Sequence, residues 1–223
     1  MNKNYPKTLS QENYFSSQLF VAEAPDFVED LNNHSDKYIE DAMKRVQLEK
    51  EKNKINQNKI GDVYHSTTLI NDPNFNYLQE YVTNTSYNLL DAMGFDLTNY
   101  KVFCQEMWVQ EFSKEGGGHH EIHTHWNGHI SGFYFLKCSD KTSRPIFHDP
   151  RPGNVMNLLP EKNENNLTPA TSKINCRIKP GTIIFFPSYM PHSYLVDRGI
   201  EPFRFIHWNC RAYPKTILKE ENV

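Results

Sequence analysis

Five histidines lie close together in the middle of the chain, in the segment GGGHHEIHTHWNGH at 116–129. The chain has 10 histidines in all, so half of them fall within this one short run. His123 and His125 are two residues apart just before an apolar run, and alternate residues of an extended chain project from the same face. Two imidazoles on one face can bind one metal ion. A purification tag does not explain the run, because it is internal and interleaved with other residue types.

A third candidate ligand, His192, lies much later in the chain, in the segment PHSYLVDRGIEPFRFIHW. If this segment forms a hairpin that turns near Arg198 and Gly199, Arg204 lies opposite His192 on the same face. Cross-strand neighbours have Cβ atoms about 5 Å apart. The planar guanidinium of an arginine suits a carboxylate better than a lysine ammonium does. The spacing therefore predicts a metal ligand with an arginine within reach of a carboxylate that chelates the metal.

The second part of the chain contains the strands that must position these residues. After Tyr100, short apolar runs alternate with turn residues, and no helical pattern separates them. Several short strands of this kind are typical of an antiparallel sandwich or barrel. The predicted strands are KVFCQEMWVQEF, ISGFYFLKC, RPIFH, INCRIK, GTIIFFP, SYLV and FRFIHWNCRAY.

Two amphipathic helices are predicted in the first part of the chain. One spans about 35–54, where apolar residues at helical spacing stand among charged ones, so this helix must lie on another surface. The other begins at Asp72 and Pro73, a cap followed by a first-turn proline, and ends near Gly94. The polar segment between the two helices is predicted to be a loop. The apolar stripes are Ile39, Met43 and Val46 in the first helix and Leu78, Val82, Leu89 and Met93 in the second.

The domain organisation follows from these two parts. We expect a single domain over 1–223, with a helical part at 1–99 that packs on a β core at 100–214. A chain of 223 residues is long enough to bury a sizeable core. The segment 149–173 is rich in Asn and Pro and interrupts the strands, which predicts an insertion or lid loop.

Composition excludes several classes of protein. The net charge is -3, so there is no basic field for holding nucleic acid. The sequence has no run of 18 apolar residues and no apolar signal segment near Met1, so we expect a cytoplasmic protein without a membrane span. The four cysteines form no Cys-x-x-Cys pair, which argues against a disulfide framework and a structural zinc knuckle.

Three segments together carry a resemblance to a known family. They are HTHWNGHISGFYFL, IFHDPR, and PGTIIFFPSYMPHSYL with the later FRFIHWN. In this combination the sequence resembles the Fe(II)/2-oxoglutarate-dependent oxygenases, and more narrowly the 2OG-Fe(II) oxygenase family of marine bacteria and their phages. The resemblance covers roughly residues 60–212 and implies a mainly β fold with flanking helices, the double-stranded β-helix, also called a jelly roll or cupin-like barrel.

The resemblance also implies which residues bind the metal. Aligned on ISGFYFL, the first family motif falls on His123 and His125, which with His192 give an all-histidine iron site. The wider superfamily has His-x-Asp or His-x-Glu in this motif, so the sequence departs from the usual pattern. A carboxylate from Glu121, in His119-x-Glu121, or from Asp149 is the alternative third ligand.

The cofactors implied are Fe(II) and 2-oxoglutarate. Three protein ligands leave three positions on the metal, of which the keto acid takes two and O2 one. Arg204 is expected to bind the distal carboxylate of 2-oxoglutarate. Tyr134 and Ser131 are further candidates for binding the cofactor, with Arg151 as another. A core aromatic whose hydroxyl is satisfied elsewhere is the simpler interpretation of Tyr134.

The function implied is a 2-oxoglutarate-dependent dioxygenase, an oxidoreductase and most simply a hydroxylase. Decarboxylation of 2-oxoglutarate to succinate would be coupled to C–H oxidation of a small molecule or a protein side chain. One alternative is a three-His cupin-type dioxygenase that needs no keto acid. The other is a non-catalytic jelly-roll protein, for example of a virion. If a phage encodes the chain, it would act in the host cytoplasm, and the amino-terminal helix could pack on a second copy to form a homodimer.

The remaining histidines have simpler interpretations. His119 and His120 are expected to be solvated loop residues, and His129 to lie at the surface or beside a ligand. His207 is an odd number of residues from Arg204, so it is expected to face away from the site. Trp126 directly follows a proposed ligand and could line the substrate pocket.

Overall fold

Two antiparallel sheets face each other in the computed structural model, which describes residues 10, 12–13, 15–151 and 159–217. The larger sheet has six strands in the order β1-β8-β5-β10-β3-β2, and the smaller has four in the order β4-β9-β6-β7. The mainly antiparallel β architecture predicted from the alternating apolar runs is confirmed. The strands are β1 Phe20–Glu23, β2 Val63–His65, β3 Tyr100–Phe112, β4 His120–His123, β5 Ile130–Lys137, β6 Pro145–His148, β7 Lys173–Asn175, β8 Thr182–Pro187, β9 His192–Tyr194 and β10 Arg204–Pro214.

Two helices cover the outer face of the larger sheet. Helix α1 is Val28–Lys52 and begins earlier than predicted, directly after a 3-10 turn at Pro25–Phe27. Acidic residues in its first turn and lysines in its last suit the helix dipole. Helix α2 is Asn76–Ala92, preceded by a 3-10 turn in which the Asp72 carboxylate accepts from the backbone N–H of Asn74. Within the described residues, neither helix is long and apolar enough to cross a membrane.

The predicted loop between the helices contains a strand, so that prediction is wrong in part. Strand β2 pairs with β3 and places His65 opposite Gln110 at the edge of the larger sheet. Strand β1 also lies in the part that was predicted to be helical, and it pairs with β8. Both strands are only three or four residues long, too short to show a period of two in the sequence.

The core has two layers. One lies between the helices and the larger sheet and contains Trp208, Tyr134 and Ile206. The other lies between the two sheets and consists mainly of aromatic residues, among them Phe133 and Tyr194. Alternate residues of β5 and β10 therefore face different layers, and the side chains of a possible site must come from the inter-sheet face.

A glycine in β5 leaves room for a tryptophan ring on the neighbouring strand β10. A Cβ at Gly132 would stand 2.2 Å from Trp208 Cζ2 and 2.6 Å from the carbonyl oxygen of Ile184. Only a residue without a side chain fits there, because both neighbours are fixed in strands.

The predicted hairpin between His192 and Arg204 does not form. Strand β9 is three residues long and pairs with β4 and β6 in the smaller sheet, whereas β10 lies between β5 and β3 in the larger one. The chain between β9 and β10 crosses from one sheet to the other. Gly199, in this connection, packs so closely on the backbone of Lys114 that a Cβ there would stand 2.4 Å from its carbonyl oxygen.

Candidate functional site

Three histidines converge at the edge of the smaller sheet. His123 at the end of β4 and His192 at the start of β9 are direct cross-strand partners. His125 follows β4, and its backbone N–H donates to the carbonyl of Ser188 at 2.9 Å. One ligand atom from each imidazole lies within 4.8 Å of the others. The structure thus brings together the three histidines that were predicted, from two distant segments of the sequence, to be metal ligands.

The ring orientation of two of these histidines suits a metal. The Nδ1 atom of His123 lies 2.8 Å from the carbonyl oxygen of Glu121, and that of His192 lies 3.0 Å from the carbonyl oxygen of Met190. A carbonyl accepts only from an N–H, so Nδ1 carries the proton and Nε2 keeps its lone pair. The Nε2 atoms of His125 and His192 are buried without a hydrogen-bond partner among the described residues. Unpartnered imidazole nitrogens that point to one place are what a divalent transition metal would satisfy, so these residues fit Fe(II).

Burial keeps the imidazoles of His125, His192 and His207 uncharged. Desolvation, assisted by neighbouring histidines, lowers the pKa of His192 to about 3 and that of His125 to about 4. The fully buried His207 has a pKa well below its ordinary value, for the same reasons in the same order. These three rings are therefore neutral at neutral pH, and His125 and His192 can bind a metal without first losing a proton.

A polar network supports His125 from behind. The side-chain amide Nδ2 of Asn209 on β10 lies 3.4 Å from His125 Nδ1 and donates to Glu106 Oε2 at 2.6 Å. The Asn209 oxygen accepts from the Ser131 hydroxyl at 2.6 Å, and that hydroxyl also contacts Ser188 Oγ at 2.8 Å. Ser131 was expected to contact the cofactor. The structure places it behind a proposed ligand, joined through Asn209 to His125.

A cavity of about 150 Å³ adjoins the three histidines. It lies between the edge strand β2 of one sheet and the edge strand β4 of the other. The Gln110 side-chain nitrogen lies 3.0 Å from His120 Nε2 on one wall, and His65 stacks on Trp108 at 4.8 Å between ring centroids. The lining residues beyond the three histidines are His65, Trp108, Gln110, His120, Phe133, Tyr194 and His207.

The prediction that His207 faces away from the site is wrong. His207 lies on the inter-sheet face of β10, and its ring centroid is 4.5 Å from that of His125. His120, expected to be a solvated loop residue, is in strand β4 and also lines the cavity. Its burial and the nearby histidines lower its pKa to about 4.

Arg204 lies on the opposite face of β10, so the prediction that it lies opposite His192 is wrong. Its guanidinium bonds Glu111 Oε2 and Asp36 Oδ1, each at 2.6 Å, and donates to Asn32 Oδ1 at 3.0 Å. These contacts join β10 to β3 and to helix α1. The expected role of Arg204 in binding 2-oxoglutarate has no support in this geometry.

Tyr134 also lies in the helix-side layer, away from the histidines. Its hydroxyl donates to the carbonyl of Ala24, which ties the segment before α1 to the sheet. The simpler interpretation of Tyr134 as a core aromatic matches this placement. Arg151, at the start of the insertion, forms a bidentate pair with Asp149, in which Nε donates to Oδ1 and Nη2 donates to Oδ2.

The structure does not bring the alternative carboxylate ligands into the three-histidine group. Glu121 is exposed on β4, and its contribution is the backbone carbonyl that holds the His123 ring. His119 is exposed, and its Nδ1 contacts the carbonyl of Gly117 at 3.1 Å. Asp149 lies at the foot of the insertion beside Arg151. Positions 152–158 of that insertion lie outside the described residues.

Sequence reasoning missed several polar residues that surround the site. Gln110 and Glu106 lie on the inter-sheet face of β3, where residues 106, 108 and 110 alternate with the buried apolar residues 107 and 109. This period of two in a long strand was available from the sequence. Asn209 follows the same alternation on β10, since residues 206, 208 and 210 lie in the helix-side layer. It was missed because the sequence argument placed the site on the face of Arg204.

Comparison with known proteins identifies the segment that carries this site. Residues 106–202 match the model of a family described as "Putative 2OG-Fe(II) oxygenase", which confirms the resemblance to the Fe(II)/2-oxoglutarate-dependent oxygenases. That segment contains all three histidines of the proposed metal site. The narrower resemblance to proteins of marine bacteria and their phages stays a prediction. A search of curated protein sequences gave no match.

Solved structures of low sequence identity share the fold. A prolyl-4-hydroxylase from Pseudomonas putida matches with a TM-score of 0.52 at 10% identity, over 88% of this chain and 94% of that one. The non-heme alpha ketoglutarate dependent epimerase SnoN from nogalamycin biosynthesis matches at 0.56 and 9% identity, over 89% and 79%. AviO1 from Streptomyces viridochromogenes matches at 0.50 and 13%, over 86% and 90%. These similarities confirm the predicted double-stranded β-helix.

Proposed function

From the match of residues 106–202 to the model of a 2OG-Fe(II) oxygenase family, we propose that the protein is a hydroxylase whose iron is held by His123, His125 and His192. The protein is an oxidoreductase that depends on Fe(II) and 2-oxoglutarate. The observation that carries the proposed ligand set is the convergence of three imidazoles inside this segment, with one ligand atom of each within 4.8 Å of the others.

When bound by these residues, Fe(II) and 2-oxoglutarate would supply the oxidation: one O2 and one 2-oxoglutarate would be consumed, succinate and CO2 released, and one oxygen atom inserted into a substrate C–H bond. The protein's own residues hold and orient the reactants. His123 and His192 present Nε2 because backbone carbonyls fix their Nδ1–H groups. The network of Asn209 and Glu106 limits rotation of the His125 ring.

The surroundings of His125 favour an apolar contact with the substrate. Trp126, which follows it, is 90% exposed. It borders a shallow groove of about 150 Å³ together with Phe95 and Tyr189, and His125 forms part of the same groove. We propose that the substrate lies against Trp126 and presents its C–H bond towards the three histidines.

The ligand assignment is tested by matched histidine variants. His192→Ala should abolish Fe(II) binding and succinate formation, since it removes a buried Nε2 that nothing else replaces. His119→Ala is the control, because this exposed histidine is in the same run but outside the group. Glu121→Gln should also behave like the wild type, since only the backbone of that residue contacts the site.

The outcomes separate the alternative functions. Succinate formation by the His192→Ala variant would refute the proposed ligand set. Wild-type protein that binds Fe(II) but consumes no 2-oxoglutarate would support a three-His dioxygenase that needs no keto acid. Wild-type protein that binds no iron would support a non-catalytic jelly roll.

A further inference from the structure

The cavity beside the three histidines contains hydrogen-bond donors that the proposed metal site does not use. Trp108 Nε1 and both ring nitrogens of His207 are buried and have no hydrogen-bond partner among the described residues. Both side chains line the cavity. Leaving a buried polar group without a partner is unfavourable, so such groups call for an explanation by a ligand or ion.

The two donors stand next to each other and next to a proposed metal ligand. Trp108 on β3 and His207 on β10 are direct cross-strand partners, with ring centroids 4.4 Å apart. His207 is 2% exposed, and its ring lies 4.5 Å from that of His125. An indole offers one N–H, and a neutral imidazole offers one N–H and one acceptor. The pair therefore offers two N–H donors beside the proposed metal ligand His125.

A second tryptophan, Trp208, also has an indole N–H without a hydrogen-bond partner among the described residues, but it lies away from the cavity. Trp208 is the next residue on β10 after His207. It lies in the helix-side layer, with its ring 5.2 Å from Phe185 and in close contact with Gly132. It does not line the cavity. Trp108 differs from Trp208 in that its side chain lines the cavity shared with the three histidines.

The cavity offers no charged side chain to an anionic ligand. Its lining contains no Lys, Arg, Asp or Glu among the described residues. Arg204, the sequence candidate for this task, is bonded to Glu111 and Asp36 on the other face of β10. The volume of about 150 Å³ is smaller than the roughly 300–1,000 Å³ of pockets for drug-sized ligands, and it suits a compact one.

We propose that Trp108 and His207 form an uncharged donor pair that binds a carboxylate of 2-oxoglutarate, in place of the arginine expected from the sequence. This inference rests on the proposed function. The indole N–H and one imidazole N–H donate to carboxylate oxygens while the metal holds the chelating end of the same molecule. Hydrogen bonds from neutral donors to an ionised acceptor are among the stronger ones in proteins.

The test measures binding and does not depend on turnover. Protein loaded with Mn(II), which occupies such sites without supporting the oxidation, is titrated with 2-oxoglutarate by calorimetry. Trp108→Phe keeps the ring and removes the N–H, and we expect its Kd to rise about tenfold or more. Trp208→Phe is the matched control and should bind within about twofold of the wild type, because that indole does not reach the cavity.

Variants of His207 supply an independent reading. His207→Leu should weaken binding of the keto acid by about tenfold, and His207→Gln, which keeps an N–H, should recover part of the loss. Mn(II) binding should be unchanged in both, since His207 is not in the three-histidine group. If either variant fails to fold, Trp108→Phe decides.

Failure of the inference differs from failure of the proposed function. Wild-type Mn(II) protein that binds no 2-oxoglutarate would overturn the proposed function and this inference with it. Wild-type protein that binds the keto acid, with Trp108→Phe binding it equally well, would overturn the donor pair alone.

Discussion

Replacing Arg204 distinguishes a structural residue from a cofactor-binding one. Its guanidinium Nε lies 2.6 Å from Glu111 Oε2, and the two side chains are only 5% and 4% exposed. Its Nη1 also bonds Asp36 Oδ1 on helix α1 at 2.6 Å, but the Asp36 side chain is 52% exposed. We expect Arg204→Met to destabilise the fold strongly and to leave binding of 2-oxoglutarate unchanged.

The size of the effect follows from burial. Removing one partner of a buried ion pair leaves the other charge uncompensated, which costs about 3–5 kcal/mol. The contact with the half-exposed Asp36 adds about 0–1 kcal/mol, as for surface ion pairs. Since domains of this kind are stable by about 5–15 kcal/mol, the loss should be large but need not abolish folding. The double variant Arg204→Met with Glu111→Met removes both charges and should recover most of the loss.

Urea unfolding gives the free energies of unfolding, and calorimetry on Mn(II) protein gives the Kd for 2-oxoglutarate. The reasoning is refuted if Arg204→Met unfolds within about 1 kcal/mol of the wild type while its Kd rises tenfold or more. That result would mean that the guanidinium leaves Glu111 and reaches the cofactor, as the sequence first suggested. Lys137→Met serves as a control for loss of a nearby positive charge, because Lys137 is the residue opposite Arg204 on β5.

Two further predictions concern the support of the site. Asn209→Leu removes the amide beside His125 Nδ1, which also donates to Glu106. The affinity for Fe(II) should therefore fall about 10- to 100-fold while the protein still folds. An unchanged affinity in a metal titration would contradict the supporting role of Asn209. Gly132→Ala should prevent stable folding or lower the melting temperature severely, because the new Cβ would stand 2.2 Å from the Trp208 ring. A calorimetric scan that matches the wild type would show that the structure can relax this contact.

The fold and the three-histidine group could be predicted because their signals are local or motif-like. Short apolar runs predicted seven of the ten strands, β3 and β5 to β10, and the His-x-His pair before β5 placed two imidazoles together. His192 was recognised from its own segment, and its distance from His123 was then settled by pairing of β4 with β9. Whether His192 lies close enough to His123 to bind the same metal depends on this strand pairing, which the spacing of residues in the sequence does not reveal.

The position of Arg204 could not be predicted, because hairpin symmetry assumes that consecutive strands pair. Here β9 and β10 belong to different sheets, so counting residues from the turn has no meaning. The parity argument for His207 was correct in form, since His207 and Arg204 do lie on opposite faces of β10. The prediction for His207 was wrong because it assumed that Arg204 faces the site, whereas Arg204 faces the helices.

The central claim is that three histidines hold an iron to which 2-oxoglutarate binds. An anaerobic titration of the metal-free protein with Fe(II) and then 2-oxoglutarate tests it directly, by following the weak visible charge-transfer band that keto-acid chelation of iron produces. The account predicts a band that saturates at one iron and one keto acid per chain in the wild type and in His119→Ala, and that is absent in His192→Ala. A wild-type protein that takes up Fe(II) and shows no band, or a His192→Ala variant that keeps it, would contradict the account.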